Sequence, residues 1–134
     1  MFKIESLESR RMMAFGSIDT SFGTGGRVDT AMNNPAVTDL TVVSGGKVLA
    51  GGSSGLVRYS SAGVIDTTFG SSGIVQLSGV ALKGIGVNAS GQIYALVSAS
   101  AGTVLLRYTS AGALDSTFGT GGTVLVSSSR TFTP

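Results

Sequence analysis

The side chains able to do acid–base or nucleophilic chemistry are few. Histidine and cysteine are absent, which removes the commonest general base, the commonest metal ligand and the thiolate nucleophile. No glutamate follows Glu8, and the carboxylates beyond it are Asp19, Asp29, Asp39, Asp66 and Asp115. They are too widely spaced to suggest the paired carboxylates of a glycosidase. Serines are abundant, but no histidine is available to activate one. Gly23-Thr-Gly-Gly26 is glycine-rich, yet it follows a Phe-Gly turn and precedes a strand-like segment. A phosphate-cradling loop follows a strand and opens a helix. These residues predict no catalytic site, no cofactor and no enzyme.

Three of the aspartates do share a spacing. Arg58-Tyr-Ser-Ser-Ala-Gly-Val-Ile-Asp-Thr-Thr-Phe-Gly70 and Arg107-Tyr-Thr-Ser-Ala-Gly-Ala-Leu-Asp-Ser-Thr-Phe-Gly119 are identical at nine of thirteen positions, 49 residues apart. Ile18-Asp-Thr-Ser-Phe-Gly23 is a third copy of the turn, 47 residues before the first of these. Each copy runs on to a glycine and a valine: Gly26 and Val28, Gly73 and Val75, Gly122 and Val124.

Physical chemistry gives every residue of this turn a structural task. Asp19, Asp66 and Asp115 can each accept hydrogen bonds from backbone N–H groups two or three residues on. Phe22, Phe69 and Phe118 offer the largest apolar surface for a core between adjacent repeats. Gly23, Gly70 and Gly119 allow a positive φ. Arg58 and Arg107 precede Tyr59 and Tyr108, so a guanidinium over an aromatic ring, or one capping loop carbonyls, is expected. The alternative is that Asp19, Asp66 and Asp115 bind calcium. That cation takes six to eight oxygens, and a single Asp per repeat falls short.

Around these turns the sequence reads as short strands. Of the 134 residues, 42% are hydrophobic, only 12% are charged and 21 are glycine. That suits strands and tight turns, not a helical bundle. Strands are expected at 37–43, 47–50, 56–60 and 74–77, then at 84–88, 92–98, 103–109 and 123–127. Loops are expected at 44–46, 51–55, 61–63, 89–91 and 110–112. Residues 26–30 look like the last strand of an incomplete repeat. Four short strands per repeat is the grammar of a propeller blade. The predicted fold is all-β: two four-stranded antiparallel propeller-like blades plus a partial N-terminal repeat, with a small β-sandwich or β-solenoid as the alternative. The repeat domain spans 16–127, divided into 16–30, 31–78 and 79–127. Segment 1–15 has no internal copy, and 128–134 reads as a tail. The net charge of +2 is small and the basic residues are scattered, which argues against nucleic acid. No apolar run is long enough for a transmembrane helix.

The pattern Arg-Tyr-x-x-x-Gly-x-(Ile/Leu)-Asp-x-(Ser/Thr)-Phe-Gly-x-x-Gly-x-Val resembles the delta-60 repeat over residues 58–75 and 107–124, and residues 18–28 match its latter half. Gly45-Gly-Lys-Val-Leu-Ala-Gly-Gly52 is similar to a further stretch of that family. The resemblance implies propeller-like blades in a bacterial, often surface or secreted, protein, with no activity attached to the repeat. Leu7-Glu-Ser-Arg-Arg-Met-Met-Ala14 is similar to the LEPR-XLL sorting segment of planctomycete surface proteins, with Ser9 where Pro is usual and Met12-Met13 in place of the Leu pair.

Two blades do not close a ring of four to eight. The chain is therefore expected to be a fragment of a larger propeller, to self-associate, or to pair its blades as a small unit. The functional expectation is a structural or adhesive module that binds itself or other surface proteins. A carbohydrate or small-ligand module is the alternative, although the absence of Trp and the presence of only three Tyr disfavour sugar stacking.

Overall fold

The computed structural model describes residues 16–30 and 36–128. Within them the protein is all-β. The strands are β1 (Val37–Val43), β2 (Lys47–Gly52), β3 (Gly55–Tyr59), β4 (Ile74–Gln76), β5 (Ala81–Val87), β6 (Ile93–Ala99), β7 (Gly102–Tyr108) and β8 (Thr123–Ser128). One 3-10 turn, Ser44–Gly46, joins β1 to β2. The strands form two separate four-stranded sheets in the orders β1-β2-β3-β4 and β5-β6-β7-β8. Every neighbouring pair is antiparallel. The two sheets are blades that do not close into a ring.

Alternation along the strands explains how the blades stack. On β2, Leu49 and Gly51 face the second blade: a Cβ on Gly51 would collide with the side chain of Leu82. Leu49, Leu56, Phe69 and Val75 of the first blade join Leu82, Ile93, Ala95 and Val97 of the second in one apolar core. Five of its side chains (Phe69, Leu49, Leu56, Ile93 and Val97) are almost fully buried, a burial worth roughly 1.5–3 kcal/mol each. The opposite face of the first blade carries Ala50, Val57 and Tyr59, against which Val28 packs. Register places equivalent residues on equivalent faces of the second blade, so the blades stack front to back. Antiparallel meanders in that arrangement are neither a β-solenoid, whose ladders are parallel, nor a sandwich of two like inner faces.

Four expectations need correction. Gly51 and Gly52 are not loop residues. They end β2, and only Ser53-Ser54 turns the chain, because Gly52 pairs with Gly55. Both glycines mark close approach: a Cβ on Gly52 would strike the carbonyl of Ala36. Residues 26–30 form no strand. Their only ladder contact is an isolated parallel bridge between Gly23 and Arg27, since no described neighbouring strand offers them a partner. The two blades also differ in length. Val48 and Ile93 are equivalent at an offset of 45, whereas Tyr59 and Tyr108 are equivalent at 49, as their pairings show. Counted from those equivalent pairs to the hairpin ends Gly52–Gly55 and Ala99–Gly102, the four extra residues fall two on each strand of the second hairpin. Finally, Ser128 belongs to β8, so the tail starts later than expected. Segment 1–15 and residues 129–134 lie outside the described residues.

Candidate functional site

The repeated turn and the seam between the blades form one structure. At Asp66 the Oδ1 atom accepts the N–H of Thr68 at 3.1 Å and the Thr68 hydroxyl. The Oδ2 atom accepts Arg58 Nε at 2.9 Å and Lys47 Nζ at 2.8 Å. The turn closes through Phe69 N–H to the Asp66 carbonyl at 3.1 Å. Asp115 repeats the pattern with Thr117, with Arg107 Nε at 2.8 Å, and with Gln92 at 3.2 Å where the first blade has Lys47. Among the described residues the Asp19 carboxylate accepts from Ser21 alone. Arg11, which stands eight residues before Asp19 as Arg58 stands before Asp66, is outside the described residues.

The electrostatics follow from these partners. The Lys47 ammonium, then the Thr68 hydroxyl, hold the Asp66 carboxyl far below the usual carboxylate range. Asp115 is lowered chiefly by the Thr117 hydroxyl and Asp19 by that of Ser21. Burial pushes the Tyr59 and Tyr108 hydroxyls up.

Each Arg guanidinium sits over the aromatic ring of its own turn. The Arg58 guanidinium carbon is 4.6 Å from the Phe69 centroid, and Arg107 stands at the same distance from Phe118. The expected guanidinium over an aromatic ring is thus present, and the ring is the phenylalanine of the turn. Adjacent residues on a strand point to opposite faces, so Tyr59 and Tyr108 cannot meet the guanidinium beside them. The carbonyl-capping expectation holds: Arg58 Nη1 donates to the Ser110 carbonyl of the next blade at 2.6 Å.

That bond has a companion. Gly70 N–H donates to the Ala111 carbonyl at 2.8 Å, and Gly23 N–H donates to the Ala62 carbonyl at 2.8 Å. The turn of each repeat thus docks on the Ser-Ala-Gly turn of the following one. Gly23, Gly70 and Gly119 all have positive φ, at 57°, 54° and 54°, as the sequence implied. Gly63 and Gly112 allow the docking itself: a Cβ on Gly112 would come within 2.9 Å of the Gly70 nitrogen and of the Phe69 ring. Phe69 is therefore fully buried between blades, while Phe22 and Phe118 are half-buried.

Asp19, Asp66 and Asp115 lie in three separate turns. Among the described residues no three His, Cys, Asp or Glu groups gather, and a cation at Asp66 would face Lys47 and Arg58. The geometry gives the calcium alternative no oxygen cage. Repeat reasoning missed Asp39. Its Oδ2 accepts Ile85 N–H across the seam at 2.9 Å, where a register shift between Leu82 and Gly84 breaks the ladder. The equivalent position in the second blade is Gly84, so Asp39 left no repeated signal.

No curated protein and no solved structure matches the chain. Residues 45–69, from β2 through the Asp66 turn to its Phe69, are similar to a family described as a domain of unknown function (DUF5122) beta-propeller.

Proposed function

We propose that this chain is a non-enzymatic repeat module of the delta-60 type, with a structural or protein-interaction role, and that it works outside a bacterial cell or on its surface. One observation carries the reading: the charged residues of the two complete turns are engaged within them and across the seam, and what each blade presents outward is an apolar sheet face shaped for another blade. Asp66 is satisfied by Thr68, Lys47 and Arg58, and Asp115 by Thr117, Gln92 and Arg107. The address rests on the resemblance of the repeats, and of Leu7–Ala14, to bacterial surface proteins. A carbohydrate-binding role is less well supported, because Tyr59 and Tyr108 are buried and Tyr94 meets Phe118 edge to face with centroids 5.7 Å apart.

A lengthened chain tests the module reading. In a variant where residues 31–127 are repeated once in tandem, the added blades cover the outer face of the second. Stability in repeat arrays grows with each nearest-neighbour interface. Urea unfolding is expected to show a higher midpoint and a steeper dependence than the parent chain. Equal midpoints and slopes would count against blades that stack as interchangeable units.

A further inference from the structure

Among the described residues the full seam between blades occurs once, and its two halves recur incompletely matched on the open faces of the two blades. On the inner seam, Gly70 N–H and Arg58 hold the successive carbonyls of Ala111 and Ser110. The same two donors stand on the outer face of the second blade. Gly119 N–H makes no hydrogen bond among the described residues, and Arg107 holds no turn carbonyl. The matching acceptors are at the other end. The Ala62 carbonyl is taken by Gly23, and the Ser61 carbonyl accepts nothing among the described residues.

The apolar faces repeat this complementarity. Ile85 and Val87 pack into the inner seam, while their equivalents on the first blade, Leu40 and Val42, are 59% and 66% exposed. Val75 is 9% exposed inside the seam, and its equivalent Val124 is 37% exposed. The segment 19–28 covers only part of the open face of the first blade. Phe22 and Val28 border a groove of about 420 Å³ there, which Leu40, Val48, Ala50 and Val57 also line.

We propose that the outer face of the second blade binds the first blade of a second copy of this chain, head to tail, and that residues 19–28 are a displaceable cap holding that place meanwhile. The proposal rests on the repeat-module reading. The cap imitates the turn of a preceding blade: it supplies the Gly23 N–H but, among its described residues, no donor to Ser61. An incoming second blade supplies both Gly119 and Arg107, and adds Tyr94, Leu105 and Val124 to the contact. Such a heterologous interface continues until the rotation closes a ring.

Light scattering on the full chain, of protomer mass 13.4 kDa, tests it with three substitutions. Gly23→Ala places a Cβ against the Arg27 carbonyl and the Val28 side chain, both inside the cap. Val42→Asp blocks the open face of the first blade, and Val124→Asp the outer face of the second. The parent chain is expected to gain mass with concentration, and Gly23→Ala to shift the midpoint about tenfold lower or further, as removing a competing closed state requires. In the Gly23→Ala background each face variant should stay at one protomer mass, and a mixture of the two should stop at two protomers. Should Val42→Asp fail to fold, Leu40→Asp takes its place. A mixture that remains at one protomer, or face variants that still assemble alone, would overturn the interface. An unchanged midpoint for Gly23→Ala would overturn the cap alone. If the tandem chain is stabilised in either case, the module reading stands without this partner.

Discussion

Asp66–Gly70 and Asp115–Gly119 are the same turn in two surroundings. Both close through an Asp carboxylate, both place an Arg 4.6 Å above a Phe ring, and both end on a glycine with φ of 54°. Among the described residues only the first has a blade beyond it. Phe69 loses all its exposure to that blade while Phe118 keeps part of its own, and Arg58 gains the Ser110 carbonyl of the next blade, whereas Arg107 bonds Asp115 and Thr117 within its own turn. The turn is thus complete as a local fold without a neighbour, and the neighbour adds the long-range part. A motif of this kind reports where blades meet, and a copy with an open seam reports where another could.

The largest expected effect separates these two contributions. Phe69→Ala empties a fully packed site and should cost about 3–5 kcal/mol in urea unfolding. Phe118→Ala, half-exposed, should cost about 1 kcal/mol. Equal losses would mean that the seam adds nothing to the turn. Next comes the glycine that lets the turns approach. Gly112→Ala sets a Cβ against the Gly70 nitrogen and the Phe69 ring at a φ of 88°, and should cost roughly 2–3 kcal/mol from overpacking and backbone strain together. Gly121→Ala has open space around its Cβ at a φ of 61°, so it carries only the strain, about 1 kcal/mol. A smaller loss at Gly112 than at Gly121 would break the docking geometry described above.

Much of this was legible in the sequence, for physical reasons that differ between residues. The Asp, Phe and Gly of the turn repeat because each repeat needs them locally, so their tasks could be read from one copy and checked against the next. Strand positions followed from short apolar runs between Gly and Ser turns. Gly51 and Gly52 were read as loop because glycine in a sequence does not distinguish a turn from a close approach; Leu82 beside Gly51 and the Ala36 carbonyl beside Gly52 decide it. An aromatic partner for Arg58 was legible, but not which ring: strand alternation turns Tyr59 away, and the Asp66 turn brings Phe69 under the guanidinium. Lys47 and Gln92 occupy one structural position but sit at an offset of 45 instead of 49, and the change of offset hid their equivalence.

That pair sharpens the comparison through pH. Asp66 and Asp115 are both depressed in the folded protein, so each contributes stability that is present above the unfolded-state value, about 4, and is lost as pH falls through the folded value. Stability should therefore decline in acid below about pH 4. Asp66 should protonate last, since Lys47 is the main cause of its depression. Lys47→Gln gives Asp66 the partner that Asp115 has, and carbon-detected carboxyl titration should show Asp66 rising toward Asp115. If Asp66 stays put, the ammonium is not what separates the two turns.

The smallest effect belongs to the contact with no repeat behind it. Asp39 caps Ile85 N–H at 2.9 Å, and its carboxyl is lowered first by that bond and then by the N–H of Leu40. Ile85 pairs with Ala95 just past the register shift on edge strand β5, and the carboxylate takes up its N–H from across the seam. Asp39→Asn keeps a side-chain acceptor and should leave the amide protected. Asp39→Ala removes it, and hydrogen exchange at Ile85 should accelerate while the amides of the Asp66 turn keep their rates. Equal acceleration at both places would mean that β1 and β5 loosen together with the turn seam, making the two connections between the blades a single unit instead of two independent ones.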